Sequence, residues 1–480
     1  ILQGALRTGA WAGRTDVLRR IETPSALGDW SYEVEDTKLA RETKGSTVLQ
    51  ISLYSDLLAD VQGRSPELMH VVAPYTDFTP ETFRTADFAA YYRVVRRSLE
   101  AAVANPADGQ TYPEPNPFCE ICRWRDICDQ RRRADDHLSL VAGISKNQMV
   151  ELVERAINTT AALATMPVPI SWKPERGAAS SYVRVREQAR VQLQARETGA
   201  SVFELLDHQE GFGLSRLPAP SSGDVFLDFE SDPFVGEHGL EYLLGYEHQA
   251  EDGQWTYTPL WALTRADEKA AFEQFIDFIM ARWDRFPDLH IYHFGGYETG
   301  ALKRLMGRYA TREDALDRIL RGLLTVDLLS VTRQSLRAGV ESYSLKKLEP
   351  LYGFMRDTSL PDARLALTRL QTSLELNDLA AIDDADRATV QAYNREDCVS
   401  TRHLRGWLEE LRAERVAGGA DIARPDPGDG APSEKVGQWL ATIAPLVEAL
   451  TGDVPADPLE CTQEQHGRWL LANMLEWHRR

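Results

Sequence analysis

The sequence predicts an α/β protein of more than one domain, and three observations carry that expectation. Apolar residues make up 43% of the 480 positions and charged residues 26%, a globular balance that excludes a disordered, collagenous or wholly coiled-coil chain. Beyond residue 224, strand-like runs give way to alternating helices and strands, the order of a mixed sheet. Two stretches whose composition cannot build a packed element, 218–223 and 418–433, mark boundaries between domains. At about 150 residues per domain, the length is that of roughly three domains.

The first elements are strands. Thr15-Asp16-Val17-Leu18 and Tyr32-Glu33-Val34-Glu35-Asp36 are separated by a polar turn containing Pro24 and Gly28. Residues 86–103 read as an amphipathic helix, because Phe88, Tyr92, Val95, Leu99 and Val103 recur at spacings of three and four. The Pro-rich run Tyr112-Pro113-Glu114-Pro115-Asn116-Pro117 leads into Cys119, Cys122 and Cys128, as an irregular segment wrapped around a site would. Residues 137–166 read as two short helices about Gly143-Ile144-Ser145, and 180–206 as a polar helix, so 136–215 is expected to be a helical connector. Past the first linker come Val225-Phe226-Leu227-Asp228-Phe229, Leu243-Leu244-Gly245-Tyr246 and the run 255–262 as strands. A helix over 266–283, a strand over 289–294, further helices and a long helix from Asp386 to about Arg415 follow. Residues 434–480 read as a helical lead-in to a further region. The chain opens on Ile1 rather than Met, and the helix over 469–480 stops without Gly, Asn or Pro, which predicts a piece of a longer protein.

Charge and hydropathy narrow the function classes. With 73 Asp and Glu against 54 Lys and Arg, the formal charge is −19, which argues against a generally sticky nucleic-acid coat but leaves room for a local basic groove. No apolar run approaches the ~18 residues of a membrane span, and no signal peptide opens the chain, so a cytoplasmic protein without membrane attachment is expected. Five unevenly placed cysteines are too few for a secreted disulfide framework.

The strongest chemistry lies in the second half. Asp228 and Glu230 flank Phe229 at the end of an apolar strand, and residues i and i+2 share one side of a sheet. Two adjacent anions need a cation, and oxygen ligands suit Mg²⁺ or Mn²⁺; taken alone, the pair reads sooner as two solvated acids at a strand end. On the late helix, Tyr393-Asn394-Arg395-Glu396-Asp397 places Tyr393 and Asp397 on one face. Between the two comes Ile291-Tyr292-His293-Phe294-Gly295-Gly296-Tyr297-Glu298, a strand, a glycine turn and an acid at the start of a helix.

These residues resemble the DEDD exonucleases with a ribonuclease H-like fold, in the form found beside RecB-type nucleases. The resemblance spans roughly 222–412, within an expected domain at 222–415. It implies Asp228 and Glu230 as the first motif and Tyr393 and Asp397 as the last, with Glu298 where the family carries Asp. It further implies two divalent ions held by Asp228, Glu230, Glu298 and Asp397, a water oriented by Tyr393, and 3′ to 5′ hydrolysis of DNA or RNA. Asp327 also matches a recurrent acidic position but is not expected to be a ligand.

A second constellation opens the chain. Gly13-Arg14-Thr15-Asp16 is followed by Glu35-Asp36-Thr37-Lys38, where Asp36 and Lys38 share a strand face, and then by a helix containing Gln50 and Tyr54. The order resembles the RecB and CRISPR-associated branch of the PD-(D/E)XK nucleases, over residues 1–135. That implies a restriction-endonuclease-like domain cut at its front, with Asp16 and Asp36 as metal ligands, Lys38 as a catalytic residue, and Gln50 and Tyr54 in support. It also implies that Cys119, Cys122 and Cys128 join a fourth cysteine, expected upstream of Ile1, around a four-iron four-sulfur cluster; the cysteine spacing itself is equally that of a zinc knuckle. Cys398 and Cys461 read as ordinary residues. Arg123, Arg125, Arg131, Arg132 and Arg133 form a local basic cluster open to phosphate contact, and residues 140–163 resemble a helix-hairpin-helix.

The leading expectation is therefore a metal-dependent nuclease of nucleic-acid processing or repair, with a helicase expected to follow in the same full-length chain. No Gly-x-x-x-x-Gly-Lys loop is present here. The alternatives are a non-catalytic nucleic-acid-binding adaptor that keeps nuclease folds, and a zinc-stabilised scaffold.

Overall fold

The computed structural model describes residues 1–40, 42–76, 78–104, 112–120, 122–426, 428–455 and 460–475. The chain divides into two compact units, Ile1–Arg131 with Phe234–Gly239, and Arg132–Pro233 with Leu240–Arg480.

In the first unit, β1 (Ala5–Thr8) and β2 (Trp11–Arg14) make a hairpin, and β3 (Val17–Ile21), β4 (Ser31–Thr37), β5 (Leu68–Val72) and β6 (Glu81–Arg84) form a four-stranded sheet in that order. β4 and β5 run parallel, which requires a crossover, and α1 (Gly45–Gln62) supplies it. Val34, Met69 and Val71 of the sheet bury against Ile51, Leu57 and Leu58 of the helix. Thr15 and Asp16, expected within a strand, instead form the bend joining β2 to β3. Thr37 holds Asp16 there, its backbone N–H and hydroxyl donating to Oδ2 at 2.8 and 2.6 Å.

α2 (Thr85–Ala104) forms where the spacing predicts it, but its stripe is uncovered at the C-terminal end. Tyr92 is buried while Leu99 and Val103 are 49% and 69% exposed. Its contacts with the rest of the unit include Phe88 edge-on to Phe83, the Tyr92 hydroxyl donating to Asp56 Oδ2 at 2.9 Å, and Glu100 Oε1 accepting from the Trp11 indole N–H at 2.8 Å. α3 (Arg125–Ala134) follows the cysteine-bearing loop.

The second unit opens with α4 (Lys146–Glu154), α5 (Thr160–Ala164) and α6 (Ala179–Thr198), packed around Leu138, Leu152, Leu163, Tyr182 and Ala189. The helix expected to run to residue 206 ends at Thr198. Phe203 to Leu205 alternate as a short strand, β7 (Phe203–Leu205), antiparallel to β13 (Leu336–Ala338). The segment 136–215 thus falls in the same unit as the main sheet.

That sheet has the order β10-β9-β8-β11-β12, built from β8 (Val225–Asp232), β9 (Leu240–Gln249), β10 (Trp255–Trp261), β11 (Ile291–His293) and β12 (Thr325–Asp327). β9 is antiparallel to both β10 and β8, whereas β11 runs parallel to β8 on one side and to β12 on the other. One face packs on α7 (Arg265–Arg285), α8 (Tyr297–Tyr309) and α9 (Glu313–Arg321) through Phe272, Phe275, Ile279, Leu302 and Ile319. Thr264 and Asp267 cap α7 reciprocally, which fixes where that helix starts. The other face packs on α10 (Leu328–Ser335), α11 (Leu345–Leu348) and α13 (Asp384–Ala417), the last preceded by α12 (Leu360–Glu375). α14 (Glu434–Thr451) and α15 (Gln463–Met474) end the described chain; residues 476–480 of the expected terminal helix lie outside the described residues. Among the described residues no helix is long and apolar enough to cross a membrane.

Candidate metal centre

The two-residue period of β8 decides which side chains meet. Val225, Leu227 and Phe229 point into the core under α7, whereas Phe226 belongs to the core beneath α13. Asp228 and Glu230 continue the Phe226 side and meet the middle of α13. There a ligand oxygen from each of Asp228, Glu230 and Asp397 lies within 4.8 Å of the others. The pairing of β8 with β9 shifts register between Glu230 and Ser231, so the strand is irregular directly after the second carboxylate.

Asn394 sits between strand and helix. Its Nδ2 donates to Asp228 Oδ2 at 2.8 Å, and its Oδ1 accepts from the Tyr257 hydroxyl at 2.8 Å. This amide occupies the space above Gly245, which pairs with Asp228 across the ladder; a Cβ on Gly245 would stand 1.7 Å from Asn394 Oδ1. A glycine is therefore required by close approach rather than by its torsions.

Crowded carboxylates resist ionisation. Burial and then the charges of Asp397, Glu230 and Glu298 hold Asp228 well above the usual carboxylate range, and burial with the Asp397 charge pushes Glu230 up to about 8. Two cations temper this repulsion. Lys346 Nζ lies 2.6 Å from Asp397 Oδ2, and Arg356 Nη2 lies 2.5 Å from Asp397 Oδ1 while also bonding Glu349 Oε1. Both cations lie over the Tyr393 ring, at 4.7 and 5.6 Å from its centroid, and burial with the Asp397 charge raises the Tyr393 hydroxyl.

Glu298 lies outside the group of three, buried in the first turn of α8. Its Oε2 is 3.3 Å from His293 Nδ1 and has no hydrogen-bond partner, and its charge still acts on Asp228. Asp327 serves the fold rather than the metal centre. It caps α10 by accepting from Leu329 N at 3.0 Å, and it also accepts from Gly295 N at 2.9 Å.

Residues 225–409 match the family model described as the RNase H superfamily. This segment is an RNase H-like domain. No curated protein and no solved structure matches the chain. The divalent ions that RNase H-like nucleases use suit the residues present. Three carboxylates offer hard oxygen ligands within one ion's reach, their mutual repulsion raises Asp228 and Glu230, and Glu298 keeps a buried oxygen without a donor. Lys346, Arg356 and Asn394 of the RNase H-like domain escape sequence reasoning. Asn394 adjoins Tyr393, which is the one signal that points to it; the two cations sit 51 and 41 positions from Asp397 with no periodic signal.

The first unit gathers its own set. Lys38 Nζ contacts Asp36, a buried residue on β4, and Asp16 lies close enough that the two carboxyls act on each other. Burial leads in raising Asp36 despite Lys38, whereas for Asp16 the Thr37 bonds outweigh burial and lower it. Gln50 Nε2 donates to the Tyr54 hydroxyl at 3.0 Å, and the Tyr54 ring lies 2.4 Å from where a Cβ on Gly13 would stand.

The cysteine expectation fares differently. Among the described residues, Cys119, Cys122 and Cys128 are not gathered into a group with all sulfurs within 4.8 Å, as one tetrahedral ion would need. Cys398, expected to be an ordinary residue, is buried against Gly245 O. Nor is the whole arginine cluster open to phosphate. Arg132 is buried, and Arg133 is held by both Glu341 carboxylate oxygens at 2.7 and 2.8 Å.

Proposed function

We propose that the chain is a metal-dependent nuclease that hydrolyses phosphodiester bonds of DNA or RNA from the 3′ end, with its catalytic centre in the RNase H-like domain. The observation that carries this is the meeting of Asp228, Glu230 and Asp397 on one face, with Tyr393 one helical turn before Asp397. A bound divalent ion supplies positive charge to the phosphate and to the attacking water. Asp228 and Glu230 bind that ion, Asn394 fixes the orientation of Asp228, and the Tyr393 hydroxyl orients the water. Glu298, whose Oε2 has no hydrogen-bond partner, stands ready to hold a further water.

The first unit is proposed as a second, PD-(D/E)XK-like nuclease fold. Its parallel β4 and β5 joined by α1, the contact of Lys38 with Asp36, and the Gln50–Tyr54 bond support this. Asp16 and Asp36 would bind metal there and Lys38 would orient water.

Digestion of end-labelled single- and double-stranded DNA and RNA with Mg²⁺ or Mn²⁺ tests the proposal. Shortening from the 3′ end that is lost in Asp228→Ala and Asp397→Ala but retained in Asp36→Ala places the activity in the RNase H-like domain. A parent chain that binds these substrates and cuts none of them is an adaptor, not a nuclease.

A further inference from the structure

Asp397 has both carboxylate oxygens engaged by side-chain cations. Lys346 approaches Oδ2 at 2.6 Å, and Arg356 approaches Oδ1 while anchored on Glu349. Lys346 is no solvated surface lysine. Its side chain is 28% exposed, its Nζ stands 4.7 Å over the Tyr393 ring, and its charge is felt by Asp228 and Glu230 as well as by Asp397. It projects from α11, whose flanking Leu345 and Leu348 are buried in the core beneath α13, so the stem starts from a fixed point.

We infer that the Lys346 ammonium stands in for one of the two cations of a two-ion nuclease site, so that the RNase H-like domain binds a single divalent ion through Asp228 and Glu230. This rests on the nuclease reading and deepens it. An ammonium within 2.6 Å of Asp397 Oδ2 already occupies the place a second ion would take on that oxygen. Two like charges so close in a half-buried site are weakly screened, and each disfavours the other. Arg356 closes the remaining oxygen, and its hold on Glu349 keeps it from swinging away. The lysine thus supplies, as a permanent part of the fold, positive charge that a second ion would otherwise bring to the phosphate.

Counting bound ions decides this without any need for turnover. Mn²⁺ is titrated into the full chain carrying Asp36→Asn, so that the first unit's carboxylates do not contribute, with binding read by calorimetry and electron paramagnetic resonance. One ion per chain, giving an uncoupled six-line spectrum, is expected. Replacing Lys346 by Met, which keeps the apolar stem and removes the charge, should admit a second ion and give a spin-coupled spectrum, while Lys346→Arg should still bind one. Two coupled ions in the chain with Lys346 intact, or a single ion that stays single in Lys346→Met, overturns the inference. If Lys346→Met does not fold, the ion count with Lys346 intact and in Lys346→Arg still decides. No Mn²⁺ bound at all removes the metal-dependent reading of the domain along with the inference, whereas two ions with intact 3′ digestion remove the inference alone.

Discussion

Asn394 holds Asp228 by a 2.8 Å bond from Nδ2 to Oδ2 across the gap between α13 and β8, and Tyr257 holds Asn394 in turn at 2.8 Å. The amide cannot rotate without losing both bonds, so the ligand oxygen's direction is set by residues that need not touch the ion. Asn394→Ala is expected to weaken Mn²⁺ binding by about 10- to 100-fold, the usual cost of losing such a supporting bond. Calorimetric titration checks this, and an affinity unchanged within twofold contradicts it.

Gly245 and Asn394 should not behave as independent positions. A methyl at 245 meets Asn394 Oδ1 at 1.7 Å and the Tyr257 hydroxyl at 2.7 Å, so Gly245→Ala is expected to destabilise the second unit by about 1–3 kcal/mol, as overpacking does. In an Asn394→Ala background most of that cost should vanish, because the closest clashing atom is gone. Urea unfolding of the two single variants and the double variant measures the coupling, and strict additivity would show that the clash is relieved elsewhere.

Glu230 gives the ion-free protein an unusual pH dependence. Its carboxyl is raised from 4.5 to about 8, so between those values the folded chain holds a proton that the unfolded chain has released. The associated stability is fully present below the unfolded value and is lost as pH rises through about 8, the reverse of a salt-bridged carboxylate. Tm in EDTA should therefore fall from pH 5 to pH 8, and fall less in Glu230→Gln. Mg²⁺ binding at pH 7 should release protons, seen as a calorimetric enthalpy that varies with the buffer. A Tm profile identical in parent and Glu230→Gln would refute the assignment.

What is legible in the sequence follows from how far each signal reaches along the chain. Asp228 and Glu230 lie two apart on a strand and Tyr393 and Asp397 four apart on a helix, so the backbone period alone puts each pair on one face. Lys346 and Arg356 reach Asp397 through tertiary packing of α11 and the segment before α12, which no local period encodes. The α2 stripe shows the converse. Its spacing makes a helix, but spacing does not supply a partner surface, and Leu99 and Val103 remain exposed. The strand β7 is hidden in the sequence because three residues are too short for alternation to stand out from a helix end; its pairing with β13 is what defines it.

Arg356 is the residue whose loss should cost the fold most. Its guanidinium is shared by Glu349 and Asp397, and the three side chains are 7–8% exposed. Arg356→Ala would leave two buried carboxylates facing each other's charge, with Glu349 keeping its bond from the Ser400 hydroxyl at 3.0 Å and Asp397 keeping Lys346. Removing one partner of a buried ion pair costs about 3–5 kcal/mol, because the remaining charge stays desolvated. Arg356→Lys, which restores charge but cannot fork between two acids, should recover part of this. Urea midpoints of the second unit give the values. A loss below about 1 kcal/mol in Arg356→Ala would mean that water reaches the pair and that Asp397 is not held as tightly as the distances imply.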